Sequence, residues 1–292
     1  MSIKETQVNK PLQSTETVVP LRPHKKPDKP AALTHTPAAP AKHVDKVLSC
    51  RYELKYRIRE TKARAIAQYI QSYIEPDSYS RKCPDLEYPI SSLYFDSEEL
   101  HLCHETLNKK ANRFKLRVRC YDDNPESPCF VEIKRRVNSV ILKDRARLPK
   151  NLLDRVIMDY YVPNTLYKKD QDVLRQFQLY LYSLQAHPIV MVRYRRQAFE
   201  DDSSNRVRIT FDRNLCYRPP QGTLLTTGGP GWQEVPMDFT VLEIKFTKNY
   251  PLWLNDLIKV FDLKQTAMSK YASSVKQSCA MGYCGPACRI GV

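Results

Sequence analysis

From Arg51 onward, apolar and polar residues alternate along much of the chain. Arg51-Tyr-Glu-Leu-Lys-Tyr-Arg-Ile-Arg59 puts charge on odd positions and apolar side chains on even ones, the period of a half-buried strand. The same pattern predicts strands over about 90–96, 113–121, 128–136, 139–148, 188–199, 205–213 and 239–246. A helical spacing follows the first strand: Ala63, Ile66, Ala67, Ile70 and Ile74 share one face, and Pro76 ends it. Further helices are expected over 150–160, 170–183 and 251–277, the last broken near Asp262. The Gly- and Pro-rich segment 214–238 reads as a long loop. Eight strands with helices between some of them define the α+β class, with a mostly antiparallel sheet large enough to close into a barrel.

Composition divides the 292 residues. Residues 1–47 hold seven of the 21 prolines and no aromatic side chain, so they read as a disordered, Pro-rich basic tail. The folded body is expected over 48–278, followed by a Cys-containing tail over 279–292. With 47 Lys and Arg against 32 Asp and Glu, the chain carries +15, which points to a polyanionic partner. No uncharged apolar run approaches the ~18 residues of a membrane span, and a signal peptide is not apparent. A soluble, cytoplasmic chain is the expectation. The nine cysteines then read as reduced core or surface residues, and Cys279, Cys284 and Cys288 lack the spacing of a metal site.

The glycines exclude whole classes. All seven lie at Gly222 or later, so no P-loop, dinucleotide fingerprint or kinase glycine loop exists in the first 221 residues. If the protein handles phosphate, it does so with side chains.

Residues i and i+2 of a strand share a face. On 113–121 one face shows Arg113, Lys115, Arg117 and Arg119; on 139–148, Lys143, Arg145 and Arg147; on 128–136, Glu132, Lys134 and Arg136. An outer, solvated face normally intersperses signs, whereas cations opposite each other at ~5 Å repel by roughly 3 kcal/mol at an effective dielectric near 20. A dense face of one sign is better explained by an anion against it. Glu-x-Lys also recurs on three predicted strands, as Glu53/Lys55, Glu132/Lys134 and Glu243/Lys245. Carboxylates among so many cations suit Mg²⁺ or Mn²⁺ held together with phosphate oxygens, since Mg²⁺ takes one or two carboxylates and completes its shell from substrate and water. For Glu132, a metal ligand and an ion-pair partner of a neighbouring Arg read equally well.

Arg51-Tyr-Glu-Leu-Lys-Tyr, Ser92-Leu-Tyr-Phe-Asp96, Lys115-Leu-Arg-Val-Arg-Cys-Tyr121, Val131-Glu-Ile-Lys134, Lys143-Asp-Arg145, Arg206-Val-Arg-Ile-Thr-Phe-Asp212, Val241-Leu-Glu-Ile-Lys245 and Ser269-Lys-Tyr271 together resemble the VTC domain. This is the polyphosphate polymerase domain of the vacuolar transporter chaperone complex, within the CYTH-like triphosphate tunnel metalloenzymes. The resemblance runs in order from about residue 50 to 275. It implies an eight-stranded antiparallel β-barrel tunnel with helices packed outside, and transfer of the γ-phosphate of ATP to a growing polyphosphate chain with Mn²⁺ or Mg²⁺. Carried over by position, Lys55, Arg117, Arg119, Lys134, Lys143 and Glu243 would be catalytic. Arg196, Arg208, Lys245, Ser269 and Lys270 would bind phosphate, and Glu243 with Glu53 would hold the metal. On strand 188–199 both faces carry Arg, so Arg193 or Arg195 is the alternative to Arg196.

One departure separates branches of that superfamily. Its hydrolases and cyclases typically begin Glu-x-Glu-x-Lys, and here the first position is Arg51. Losing that carboxylate weakens a two-metal hydrolase, whereas polymerisation attacks with a phosphate oxygen that is already anionic. Tunnel-type hydrolysis of triphosphate or nucleotides, and a non-catalytic polyphosphate-binding module, are the other readings. The chain reads as a stand-alone domain, so export of the product would need a separate membrane partner. No nucleic-acid partner is expected, because neither a recognised motif nor a base-stacking platform is visible.

Overall fold

A strand that buries one face and charges the other needs a cover for the first and an occupant for the second. The computed structural model describes residues 51–138, 140–201, 207–247 and 250–283, and it shows both faces at work. The tail expected over 1–47 lies outside the described residues, as do Cys284 and Cys288.

Eight long strands form the sheet: β1 (Arg51–Ile58), β3 (Glu87–Asp96), β4 (Asn112–Cys120), β5 (Pro128–Val137), β6 (Val140–Pro149), β7 (His187–Glu200), β8 (Arg208–Arg218) and β10 (Thr240–Thr247). Their order is β1-β10-β8-β7-β3-β4-β5-β6, with every pairing antiparallel. Two short strands, β2 (Glu75–Pro76) on β7 and β9 (Gln233–Glu234) on β8, complete it. All eight strands match the periodicity, but part of the expected loop 214–238 is strand: β8 runs on to Arg218, and β9 lies inside it.

The expected closed barrel is not formed. Among the described residues β1 and β6 are the ends of the ladder rather than partners. Part of the free edge of β1 is taken: Tyr56 bridges Gln265, and Thr266 N donates to Lys55 O at 2.8 Å. At these two residues the edge is closed to β6. The ends are joined instead by side chains, with Lys134 of β5 reaching Glu53 of β1 at 3.1 Å.

The helices cover the apolar outer face. α3 (Leu153–Met158) and α4 (Lys168–Leu184) pack Val156, Leu174 and Phe177 on Leu116, Val118, Val131 and Ile133. α1 (Glu60–Ile70) and α5 (Leu252–Val260) pack Ile66, Ile70, Leu254 and Leu257 on Ile209, Phe211, Leu242 and Ile244. Each such side chain contributes roughly 1.5–3 kcal/mol on burial. The short helix α2 (His101–Leu107) carries no long apolar stripe, and the periodicity did not reveal it.

The expected helix 251–277 is two. α5 ends before Asp262, which takes the left-handed φ of 40°. The chain then runs extended along β1 before α6 (Lys270–Ala280) begins. That detour sets Tyr271, Ala272 and Val275 against Tyr94, Val190, Val192 and Tyr194. α6 passes the expected boundary at residue 278. Cys279, read as reduced, is disulfide-bonded.

Candidate functional site: a cation-lined interior

Strand register stacks the inward residues into rungs. Across β4, β5 and β6, Lys115 faces Lys134, which faces Lys143; the next rung is Arg117, Glu132, Arg145. Across β1, β10 and β8, Glu53 faces Lys245, which faces Arg208, and Lys55 faces Glu243, which faces Thr210. On β7 the rival arginines separate. Arg196 points inward to Asp212 at 2.6 Å. Arg193 donates outward to Thr227 O, and Arg195 pairs with Glu87.

Glu243 is the most contested carboxylate. Lys245 lies at 2.8 Å, Lys55 at 3.2 Å, Lys270 at 3.4 Å and Arg196 at 3.8 Å. Burial acts to raise its pKa, but those four cations hold it well below the usual carboxylate range. Glu53 is likewise held down against burial by Lys134 and Lys55, with Lys55 at 3.0 Å. Glu132 is fully buried and met by Arg117 at 2.7 Å, Lys143 at 2.7 Å and Arg145 at 3.3 Å. This favours its ion-pair reading.

The lysines opposite one another bear the cost of the crowding. Burial lowers Lys134 to about 8 and Lys143 to about 7, with Glu53 and Glu132 respectively offsetting only part. Arg117 moves the other way, since Glu132 and Tyr94 outweigh its burial; Tyr94 OH accepts from it at 3.1 Å. Arg119 is buried against hydroxyl partners, Ser92 at 3.2 Å and Tyr194 at 3.4 Å, with no ion-pair carboxylate among the described residues.

Two of the expected phosphate ligands face other partners. Arg208 donates to Asp77 at 2.6 Å, to Glu200 and to Tyr88 OH. Ser269 caps α6, its Oγ accepting from Ala272 N at 3.2 Å and from Lys115 Nζ at 2.8 Å.

The residue-by-residue expectations omitted Asp212, which takes Arg196 in a bidentate grip at 2.6 and 2.8 Å and Lys270 at 2.5 Å. Its alternation with Arg208 and Thr210 on one strand face was the available signal. Lys115, Tyr94 and Tyr194 were likewise unassigned.

Glu53 and Glu243 flank the Lys55 ammonium, and both are ionised. Such a pair suits Mg²⁺ or Mn²⁺, which needs only one or two carboxylates when phosphate oxygens supply the rest. Among the described residues no cluster of three or more carboxylate, His or Cys side chains could hold a metal by itself. The donor set therefore fits an ion brought with phosphate, not an all-protein cage. No helix of the described residues is long and apolar enough to cross a membrane.

An antiparallel sheet curled around an ionic interior in which cations outnumber carboxylates defines a tunnel-type fold with a cationic lining. The VTC domain family model matches residues 50–279, and the chain belongs to that family. A relative is the vacuolar transporter chaperone complex subunit 4 of Schizosaccharomyces pombe (strain 972 / ATCC 24843), 24% identical over 208 residues. The match covers 58% of this chain and 29% of that protein, so the chain spans under a third of its relative. Among solved structures, a Hippeastrum protein assigned as an adenylyl cyclase, with a dominant triphosphatase activity, is 14% identical with a TM-score of 0.46, covering 78% of this chain and 96% of its own. A Bacillus halodurans protein assigned as an adenylate cyclase is 12% identical with a TM-score of 0.43, covering 75% and 95%.

Proposed function

We propose that the chain is a polyphosphate polymerase, moving the γ-phosphate of ATP onto a polyphosphate chain. The observation that carries this reading is the excess of inward cations over carboxylates in a VTC-family chain. A terminal phosphate oxygen of the acceptor attacks the γ-phosphorus, the bond to the β–γ bridging oxygen breaks, and ADP leaves with that electron pair. The attacking oxygen is already anionic, so no general base is needed, and catalysis reduces to alignment and charge neutralisation.

Arg117, Arg119, Lys134 and Lys143 grip acceptor and donor phosphates from β4, β5 and β6. Lys55 completes the grip from β1. Glu243, with Glu53, would hold the divalent ion, which supplies neutralising charge to the donor when bound. Arg196, Lys245 and Lys270 set the Glu243 carboxylate in place while their remaining N–H groups face the chain. Ser269 and Arg208 act at one remove, through Lys115 and through the Tyr88–Asp77 network.

The test is incubation with ATP and Mn²⁺, with products separated on a gel stained for polyphosphate. ADP with a ladder of lengthening chains is expected. Free phosphate and ADP without a ladder would make the protein a tunnel-type triphosphatase, and no turnover with or without a short primer would make it a binding module.

A further inference from the structure

Lys115 is the inward cation of β4 to which the reaction above gives no phosphate of its own. It sits between Arg113 and Arg117 and directly opposite Lys134. The other two lysines of its rung have carboxylates: Glu53 for Lys134 and Glu132 for Lys143. Lys115 has none within ion-pair distance among the described residues. Its hydrogen-bond partner is the neutral Ser269 Oγ at 2.8 Å, an oxygen already engaged with Ala272 N. A strut for α6 would need only a neutral donor. A cation facing cations, steered by a hydroxyl and lacking a counterion, has the chemistry of an anion seat.

We propose that Lys115 is a further polyphosphate contact, seating the phosphate unit that lies at the α6 end of the interior, with Ser269 as the positioning residue that aims it. This rests on the reading that a phosphate chain occupies the interior. Alternate residues of a strand lie about 6.6 Å apart. Lys115, Arg117 and Arg119 therefore form a row about 13 Å long that follows a linear chain rather than a single phosphate. The charged and titratable groups around Lys115 are Lys55 on β1, Arg117 on β4, Lys134 on β5, Cys103 on α2 and Tyr271 on α6, whose ring centroid lies 5.9 Å from the ammonium. Burial, then Lys55, Lys134 and Arg117, push its ammonium well below the usual lysine range. An anion against it reverses that push, so filling the seat takes up a proton.

The experiment titrates the full chain with inorganic tripolyphosphate by calorimetry near pH 8, in two buffers of different ionisation heat. Lys115→Met should weaken binding about ten-fold, the loss of one charge-assisted hydrogen bond, without lowering the melting temperature. It should also reduce the proton uptake. Lys115→Arg should keep the affinity and take up fewer protons than wild type, the remainder coming from Lys134 and Lys143. Lys150→Met, whose ammonium serves Asp122 and Asn124, should change neither.

Unchanged affinity with a lower melting temperature would reduce Lys115 to a strut. If Lys115→Met does not fold, unchanged proton uptake in Lys115→Arg overturns the seat. Wild type that binds tripolyphosphate but builds no ladder from ATP sinks the polymerase reading alone. Wild type that does not bind tripolyphosphate sinks both.

Discussion

The two walls of the interior solve the same electrostatic problem differently. On β4, β5 and β6 there are six inward cations (Lys115, Arg117, Arg119, Lys134, Lys143 and Arg145) and one inward carboxylate, Glu132; Asp144 of β6 pairs with Arg135 on the other face. On β10, β8 and β7 with α6, Lys245, Lys270 and Arg196 meet Glu243 and Asp212. Exposure accounts for the contrast on β5 and β6 but not on β4. The Lys134 and Lys143 side chains are 27% and 34% exposed, whereas Lys270 and Arg196 are 12% and 10%. Water reaches the lysines of β5 and β6, but Arg119 of β4 is buried against hydroxyls and Arg117 is nearly as buried as Lys270, so on that strand exposure does not stand in for a carboxylate. One wall is left ready for an anion while the other is preset around its carboxylates.

The largest effect is expected where the preset wall meets the reaction. Glu243→Gln should lower turnover at least about 100-fold, the scale of losing one preorganised electrostatic group, and leave tripolyphosphate binding intact. Ladder formation and calorimetry on one preparation check this, and normal turnover would remove Glu243 from the chemistry.

Asp212→Asn should distinguish the walls by stability. It strips a carboxylate from buried Arg196 and Lys270, a break that costs about 3–5 kcal/mol. Lys143→Met, on the open wall, should leave the melting temperature unchanged or raise it. Equal losses in thermal melts would erase the contrast.

The open wall should also respond to pH. Burial lowers Lys143 from 10.5 to about 7, with Glu132 opposing and Arg119, Arg117 and Arg145 adding to the fall. Between those values the unfolded chain binds more protons, so this residue's contribution to stability grows as pH rises. Phosphate binding has the opposite sign, because it needs the ammonium. Tripolyphosphate affinity should therefore fall by several-fold from about pH 6 to 8.5 relative to Lys143→Arg, which stays charged. That comparison cancels the ionisation of the ligand; parallel profiles would contradict it.

Ser269→Ala should give the smallest change, about 1 kcal/mol from the lost helix cap, measured by chemical denaturation. A loss several times larger would mean that Ser269 holds more than the first turn of α6.

The strands and their charged face could be read from the sequence because alternation is a local property: two residues per repeat decide which side chains face together. Alternation places Lys55, Arg117, Arg119, Lys134, Lys143, Glu243 and Lys245 on the polar faces of their strands, but it places Arg136 and Arg147 there too, and these two are exposed. β7 defeated the same rule. It carries arginine on both faces, and only its register with Asp212 and Glu87 selects Arg196. The short helix α2 escaped because seven residues give too few turns for a periodic signal.

What the sequence determined by itself was the class of fold, the strand positions and the sign of the inward charge, each fixed within a few residues of the chain. Tertiary structure alone decided which carboxylate meets which cation. Glu53 and Lys134 are 81 positions apart, and Tyr271 OH reaches Asp96 across 175. It also decided that the sheet stays open, with the link after Asp262 bridging β1 at Lys55 and Tyr56. Such pairings depend on where distant segments pack, and no local period encodes that.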